Sequence, residues 1–175
     1  EITGYIEVET EAQKGEEVVL SFAEALDSDG NFYTENYRSA KCIYQYKCRD
    51  GKQSYKPHTT FYGFRYIRVD TAPKNTEFTA KVVHSDIKRT GWLKTKHNKL
   101  NKLFENIIWG QKCNFLDVPT DCPQRDERMG WTADTQVFSL TGLYNGDTRN
   151  FYKKWMRDVR DSQRSDGAYS VIAPY

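Results

Sequence analysis

Apolar and polar residues alternate with a period of two along much of the first half of the chain. In the stretch KCIYQYKC, for example, Tyr44 and Tyr46 alternate with Gln45 and Lys47. Successive side chains of a β-strand point to opposite faces of a sheet, so this alternation predicts a half-buried strand. Similar runs rich in Val, Ile, Tyr, Phe and Thr, bounded by turn signals, are YIEVE, EVVLSFAEAL, TTFYGFRYIRV and EFTAKVVHS. The pattern predicts an antiparallel β-sandwich over residues 1–89.

From residue 90 onward, the apolar residues recur every three or four positions instead. The first series is Leu100, Leu103, Phe104, Ile107 and Ile108. This spacing predicts an amphipathic helix with Asn98 as its N-cap. Two further series, within 137–144 and 151–159, predict a second helix closed by Gly146 and a third helix capped by Asp147. Three helices joined by short connections are therefore expected over residues 90–175.

Each predicted helix has a wide apolar face, and the short helical half offers little to cover these faces. The chain also stops at SVIAPY, a proline-containing loop without a closing element. We therefore expect a piece of a longer protein, truncated at its N-terminus and completed by further helices. The first residues, EITGYIEVET, lack the basic and apolar regions of a signal peptide, and no apolar run approaches the roughly 18 residues of a membrane span. The sequence leaves the compartment open.

The charge balance of the chain argues against a nucleic-acid partner. Its 26 basic and 24 acidic residues leave a formal charge of +2, which gives neither nucleic acid nor an anionic membrane surface a basic footprint. Aromatic residues make up 14% of the chain and favour a carbohydrate or protein surface, because sugar C–H faces stack on rings. The cysteines show no CxxC spacing, and Cys42 and Cys48 in one predicted strand are expected to be free thiols. The histidines are scattered without ligand spacing, so no metal site is expected.

The most unusual segment is VPTDCPQRDERMGWTADTQVF, Val118 to Phe138, which crowds charges beside a tryptophan. Its carboxylates and arginines are Asp121, Asp126, Glu127, Asp134, Arg125 and Arg128. Two flanking prolines prevent regular helix around Asp121, which predicts an ordered loop there. A helix that begins at about Arg125 or Asp126 would place Glu127, Trp131 and Asp134 on one face, at positions i, i+4 and i+7.

This face has two interpretations. A tryptophan flanked by carboxylates is typical of a carbohydrate site, where the ring stacks beneath the sugar and the carboxylates bind its hydroxyls. Crowded carboxylates also raise one another's pKa values, which suits a general acid. Alternatively, acidic residues in a first helical turn complement the helix dipole and pair with arginines on a solvated surface. The residues alone leave both interpretations open, and the solvated surface is the simpler one.

A longer stretch around this segment adds a family resemblance. The residues NIIWGQKCNFLDVPTDCPQRDERMGWTADTQVF, Asn106 to Phe138, closely resemble the signature of the bacterial α-L-rhamnosidases of glycoside hydrolase family 78. Upstream, DSDGNFYTENYRSAK and FYGFRYIRVD are similar to the concanavalin-like β-sandwich of that family, and downstream RSDGAYSVIAPY is similar to a loop after its early helices. The resemblance spans essentially the whole chain. It implies a β + α multidomain fold, with the sandwich at 1–89 and the opening helices of a six-hairpin (α/α)6 barrel, incomplete, at 90–175.

The resemblance also implies roles for individual residues. Glu127 matches the general acid of the family, and the residues that match its rhamnose subsite are Asp121, Arg125, Trp131 and Asp134. The charged members of this set are expected to bind sugar hydroxyls, and the tryptophan is expected to pack on the sugar. Ala133 and Thr135 stand where the family pattern has glycine and alanine, and both departures leave the charged positions intact.

The implied reaction is the release of terminal α-L-rhamnose from glycosides or polysaccharides with inversion, with water as the only co-substrate and no cofactor. Inversion needs a second carboxylate as general base, roughly 6.5–9.5 Å from the acid. In the family that base lies far downstream, so this chain is expected to carry the acid without the base and to be inactive alone. The alternative is a non-catalytic carbohydrate-binding β-sandwich module, although such a module does not need three unfinished helical faces.

Overall fold

Two antiparallel sheets form the N-terminal half of the structure, a computed structural model that describes residues 1–175. The strands are β1 (Ile2–Ala12), β2 (Glu17–Ala23), β3 (Ala25–Leu26), β4 (Phe32–Tyr33), β5 (Ile43–Lys47), β6 (Gly51–Tyr55), β7 (Tyr62–Phe64), β8 (Tyr66–Thr71) and β9 (Glu77–Val82). In the first sheet β1 pairs with β6, β7 and β9, and in the second sheet β2 lies between β5 and β8. Strands β3 and β4 form a separate two-stranded ribbon. The expected antiparallel β half is confirmed.

The core of this half is built by the inward-facing residues of the long strands. Ile6 and Val8 of β1 and Leu20 and Phe22 of β2 are at most 1% exposed, and the polar residues between them point outward. Phe22 stacks on Tyr62 with ring centroids 4.3 Å apart. Burying each such side chain stabilises the fold by about 1.5–3 kcal/mol, which explains why the period of two is kept along β1 and β2.

The C-terminal half contains three helices, as the spacing of apolar residues predicts. They are α1 (Asn98–Asn114), α2 (Thr132–Asn145) and α3 (Arg149–Asp161), and a short hairpin of β10 (Phe115–Leu116) and β11 (Val118–Pro119) lies between α1 and α2. Gly146 ends α2 as expected. The two predicted N-caps are each off by one residue. His97 caps α1, since its ring nitrogen accepts a hydrogen bond from the Leu100 amide, and Thr148 precedes α3.

A second core holds the helical half together. Phe115 stacks on Phe151 with ring centroids 4.5 Å apart. A buried cluster next to it contains Val118, Trp155, Val159 and Ala173. Other apolar residues of the helices stay outside this core, as the wide faces in the sequence predict: Val137, Leu140 and Tyr144 of α2 are 83%, 59% and 72% exposed. None of the helices combines the length and the apolar character that crossing a bilayer would require.

Backbone contacts divide the chain into two compact units. The first unit consists of Glu1–Val83 together with the short segment Gln124–Asp126, and the second consists of His84–Pro123 and Glu127–Tyr175. The segment of three residues therefore belongs to the sandwich unit, although its neighbours in sequence belong to the helical unit.

Candidate active site

The charged segment that precedes α2 is a loop and not a helix. The sequence predicts a helix from Arg125 or Asp126, but α2 begins only at Thr132. This prediction is wrong for a local reason: Arg128 has a φ of 52°, in the left-handed region that interrupts a right-handed helix. Glu127 and Trp131 are thus not successive residues on one helical face, and any relationship between them must come from the shape of the loop.

The loop is closed by reciprocal hydrogen bonds between Asp121 and Met129. The Asp121 amide donates to the Met129 carbonyl at 3.1 Å, and the Met129 amide donates to Asp121 Oδ1 at 2.9 Å. Arg128 Nε adds a bond of 3.0 Å to the carbonyl of Pro123. Because hydrogen bonds join Asp121 and Met129 at the two ends of the turn, the main chain around Glu127 is held in one conformation.

Gly130 joins the end of this loop to the C-terminal segment. Its carbonyl accepts a hydrogen bond of 2.9 Å from the Ala173 amide, and a Cβ at position 130 would lie 2.3 Å from the Ala173 carbonyl oxygen. The same Cβ would lie 2.8 Å from the indole Nε1 of Trp155. Only glycine leaves room for this approach. The next residue, Trp131, forms an isolated antiparallel bridge with Ile172, so the start of α2 is fixed on this side.

The structure brings Glu127 and Trp131 together through a hydrogen bond. The indole Nε1 of Trp131 donates to Glu127 Oε1 at 3.0 Å, and both residues are half-buried. One carboxylate oxygen of Asp121, one of Glu127 and the sulfur of the buried Cys122 lie within 4.8 Å of one another. This set mixes two hard oxygen ligands with one sulfur, which suits neither a hard cation nor a thiolate-rich centre, and we assign it no ion.

Asp134 lies in the first turn of α2 and is exposed. Together with Asp121 it lines a cleft of about 600 Å³ between α1 and α2, whose other walls are largely apolar: Ile107, Phe115, Pro119, Val137 and Phe138. Neither Glu127 nor Trp131 lines this cleft. In the helical unit, the structure thus brings Glu127 close to both Trp131 and Asp121, and it places Asp121 on the cleft together with Asp134. Arg125 is half-buried within the segment that belongs to the sandwich unit.

Asp126, the residue before Glu127, is bound by residues of its own unit. Its Oδ2 accepts hydrogen bonds from the Ser39 amide, at 3.2 Å, and from the Ser39 hydroxyl. The Arg38 guanidinium lies 3.9 Å from Oδ1. The pKa of this carboxyl is lowered from its ordinary value. The Ser39 hydroxyl has the largest effect, followed by the Ser39 amide and Arg38, and all three favour the charged form.

Sequence reasoning gave no role to four of these contributors. Cys122 and Met129 had no signal beyond their place in the charged segment, and Ser39 had none at all, because its partner lies 87 residues away. Gly130 could have been noticed, since a glycine between charged residues and a helix often marks a close approach of two backbones.

Both halves of the chain match family models. Residues 1–86 match the bacterial alpha-L-rhamnosidase concanavalin-like domain, and residues 88–175 match the bacterial alpha-L-rhamnosidase 6 hairpin glycosidase domain. Among curated proteins, an alpha-L-rhamnosidase of Formosa agariphila is 42% identical over 91% of this chain and 18% of its own length. One of Streptomyces avermitilis is 42% identical over 99% of this chain and 17% of its own length.

Solved structures give the same result for the fold. The Streptomyces avermitilis alpha-L-rhamnosidase complexed with L-rhamnose is similar with a TM-score of 0.93 and 41% identity, over 99% of this chain and 17% of that one. The alpha-L-rhamnosidase from Dictyoglumus thermophilum is similar with a TM-score of 0.89 and 34% identity, over 99% of this chain and 20% of that one. The chain thus spans about a fifth of the length of the relatives it matches.

Proposed function

The chain belongs to the bacterial α-L-rhamnosidase family, and from that premise we propose that it is part of a glycoside hydrolase that releases terminal α-L-rhamnose from glycosides or polysaccharides. The observation that carries the proposal is the match of its two halves, in order, to the two successive domains of this one family. The name of the Streptomyces relative's structure, a complex with L-rhamnose, supports the choice of sugar.

Glu127 is the proposed general acid, which protonates the oxygen of the leaving group as the glycosidic bond breaks. A general acid must be held within hydrogen-bond reach of that oxygen, so its side chain has to keep one orientation. The bond of 3.0 Å from Trp131 Nε1 to Glu127 Oε1 supplies such a constraint, and the tied loop on either side supplies another.

Asp121, Asp134 and Arg125 are the proposed hydrogen-bonding partners of the sugar hydroxyls, and Trp131 is the proposed packing surface. Asp121 Oδ1 already accepts the Met129 amide, but a carboxylate has several lone pairs and can accept a sugar hydroxyl as well. The exposed position of Asp134 in the first turn of α2 leaves its carboxylate accessible to a ligand.

The proposed mechanism is inverting. A second carboxylate, outside these 175 residues, activates a water on the opposite face of the sugar, and the two carboxyl groups stand roughly 6.5–9.5 Å apart to leave room for it. Water is the only co-substrate, and no step calls for a cofactor. Because the base is lacking, the 175-residue chain alone is proposed to be inactive.

The acid assignment is tested in the polypeptide that carries this segment with a complete catalytic domain. With an alkyl α-L-rhamnoside, we expect Glu127→Gln to lower kcat by about 10²–10⁴-fold, the usual contribution of general acid catalysis. An aryl rhamnoside with an acidic phenol needs little protonation, so its loss should be much smaller. Glu11→Gln, an exposed change on β1 of the sandwich unit, is the matched control and should leave both rates unchanged. Equal losses on the two substrates would contradict the role of Glu127.

Two further measurements test the rest of the proposal. Proton NMR of the first-formed sugar should show β-L-rhamnose, and α-L-rhamnose would contradict inversion. The 175-residue chain should show no turnover of an aryl rhamnoside, and turnover that is abolished by Glu127→Gln would contradict its inactivity. Titration with L-rhamnose addresses the alternative of a binding module, since binding that survives both Trp131→Ala and Asp134→Ala would favour a site on the sandwich.

A further inference from the structure

Ser39 and Cys42 both bind the segment Gln124–Asp126, which lies directly before Glu127 and belongs to the sandwich unit. Asp126 Oδ2 accepts both the Ser39 amide, at 3.2 Å, and the Ser39 hydroxyl. The Cys42 thiol donates to the Gln124 carbonyl oxygen at 3.1 Å. The side chain of Asp126 and the main chain of Gln124 are thus both bound, and both residues lie within the three positions before the proposed acid.

The residues that supply these contacts are themselves well anchored. Ser39 follows a single 3-10 turn, Glu35–Tyr37, whose Tyr37 is only 2% exposed. The Tyr37 phenol accepts a hydrogen bond of 2.7 Å from the Glu24 amide at the end of β2, and its carbonyl accepts the Ala40 amide at 3.0 Å. Arg38, with a φ of 57°, turns the chain sharply so that both donors of Ser39 point to one carboxylate oxygen.

Glu127 therefore stands between two fixed points of the main chain. On its N-terminal side Asp126 is bound to Ser39, and on its C-terminal side Met129 is tied to Asp121. We propose that Asp126 and Ser39 are a positioning pair, which fixes the main chain next to Glu127 and so keeps the acid in register with the glycosidic oxygen. This inference rests on the proposed role of Glu127.

The expected effect of removing the pair follows from how strongly the rate depends on the position of the catalytic group. A misplacement of about 1 Å at a reacting group can cost on the order of 10²-fold in rate. Without the Asp126 carboxylate, the chain before Glu127 loses both hydrogen bonds from Ser39, and the Cys42 thiol that still binds Gln124 is a weak donor. The loss should include a fall in kcat, because Glu127 follows Asp126 directly, and KM should also rise, because Arg125, a proposed partner of the sugar hydroxyls, lies in the same segment.

Kinetic assays in the complete enzyme test the pair. Asp126→Ala should lower kcat for an alkyl α-L-rhamnoside by about 10-fold or more. Ser39→Ala keeps the backbone donor and should have a smaller effect in the same direction. Asp126→Asn should recover activity to within about three-fold of the parent, because one amide oxygen can accept both Ser39 donors. Asp29→Ala, an exposed change in the β3–β4 turn, is the control and should have no effect.

Amide hydrogen exchange gives a readout that does not depend on turnover. Asp126→Ala should speed exchange in the peptide that spans residues 121–130, whereas Asp126→Asn and Asp29→Ala should leave it unchanged. Exchange in β1 and β2 should be the same in all variants. A kcat loss confined to Asp126→Ala and Ser39→Ala, with faster exchange only near Glu127, supports the pair.

Glu127→Gln, measured in parallel, separates two kinds of failure. If Glu127→Gln keeps the parent's turnover, the acid assignment fails and the positioning pair fails with it. If Glu127→Gln is inactive but Asp126→Ala keeps the parent's kcat, only the positioning pair is overturned. If Asp126→Ala unfolds, Ser39→Ala decides: a lowered kcat with an unchanged melting temperature supports the pair, and a parent-like kcat overturns it. Failure of Asp126→Asn to restore kcat also overturns it.

Discussion

The indole Nε1 of Trp131 donates a hydrogen bond of 3.0 Å to Oε1 of Glu127. The two residues proposed to pack on the sugar and to protonate its leaving group are therefore joined directly. A hydrogen bond of this kind contributes about 0.5–1.5 kcal/mol, enough to favour one orientation of the Glu127 carboxyl group over others. The tryptophan is thus more than an apolar surface for the sugar.

Replacing Trp131 by phenylalanine separates these two roles. Trp131→Phe keeps an aromatic ring but removes the Nε1 donor, so we expect kcat for an alkyl rhamnoside to fall about 10-fold while KM changes little. Trp109→Phe is the matched control on α1, where the exposed ring lies near the Lys112 ammonium, and it should leave kcat unchanged. A parent-like kcat for Trp131→Phe would show that the hydrogen bond does not orient the acid.

Adding a methyl group at Gly130 should destabilise the fold. The new Cβ of Gly130→Ala would lie 2.3 Å from the Ala173 carbonyl oxygen, and overpacking of this kind costs about 1–3 kcal/mol. Gly110→Ala on α1 is the contrast, since nothing lies within 4 Å of its added Cβ and alanine favours helix by about 0.5–1 kcal/mol. Urea unfolding of the chain should therefore give changes of opposite sign. An unchanged free energy of unfolding for Gly130→Ala would mean that the backbone around Ala173 moves away from the added Cβ at little cost.

A buried amide pair connects α1 to the end of α2. Asn145 Nδ2 donates to Gln111 Oε1 at 2.8 Å, and these residues are only 5% and 7% exposed. Asn145→Leu takes this donor from a buried oxygen and should lower the free energy of unfolding by about 1–3 kcal/mol. Adding Gln111→Met should recover part of the loss, because both polar groups are then gone. The control is Gln136→Met on the exposed side of α2, whose free energy of unfolding should stay within about 0.5 kcal/mol of the parent's. Losses that simply add in the variant with both Asn145→Leu and Gln111→Met would argue against coupling between the two residues.

The carboxyl group of Asp147 should titrate at unusually low pH. The Arg149 guanidinium donates to both of its oxygens at 2.7 Å and lowers the pKa of Asp147 to about 2. A lowered pKa means that the pair favours folding above the ordinary carboxyl range and that this contribution is lost as the pH falls toward 2. Carbon NMR titration should show the low midpoint, and Arg149→Met should move it up toward the usual value. A midpoint that Arg149→Met leaves in place would contradict the assigned cause.

The periodic elements could be predicted from the sequence, because their burial is decided by one repeating pattern. The alternation around Tyr44 gave β5 and its buried face, and the spacing from Leu100 to Ile108 gave α1. The start of α2 could not be predicted in this way. Its charged residues favour a helix locally, but the bonds between Asp121 and Met129 and the left-handed Arg128 form a loop that no period encodes. The tertiary contact of Gly130 with Ala173 adds a constraint from a distant part of the chain.

The candidate site was accessible to sequence reasoning mainly through resemblance. The residue types alone left a solvated helix and a sugar site both open, and the motif around Glu127 decided between them as a hypothesis. The pattern did not reveal that Trp131 would bind Glu127 through its ring nitrogen, since that bond depends on the fold of the loop. It also gave no hint of Ser39, which is linked to the site through two hydrogen bonds to Asp126.

The return of Gln124–Asp126 to the sandwich unit also bears on how the protein is made. A nascent chain that has emerged only as far as Val83 still lacks the segment Gln124–Asp126 of that unit. About forty further residues must be translated before Asp126 can meet Ser39, which takes roughly 2–8 s at ordinary elongation rates. During that interval the turn that carries Ser39 lacks its hydrogen-bonding partner. The segment Gln124–Asp126, beside the proposed acid, is therefore the last part of the sandwich unit to be synthesised.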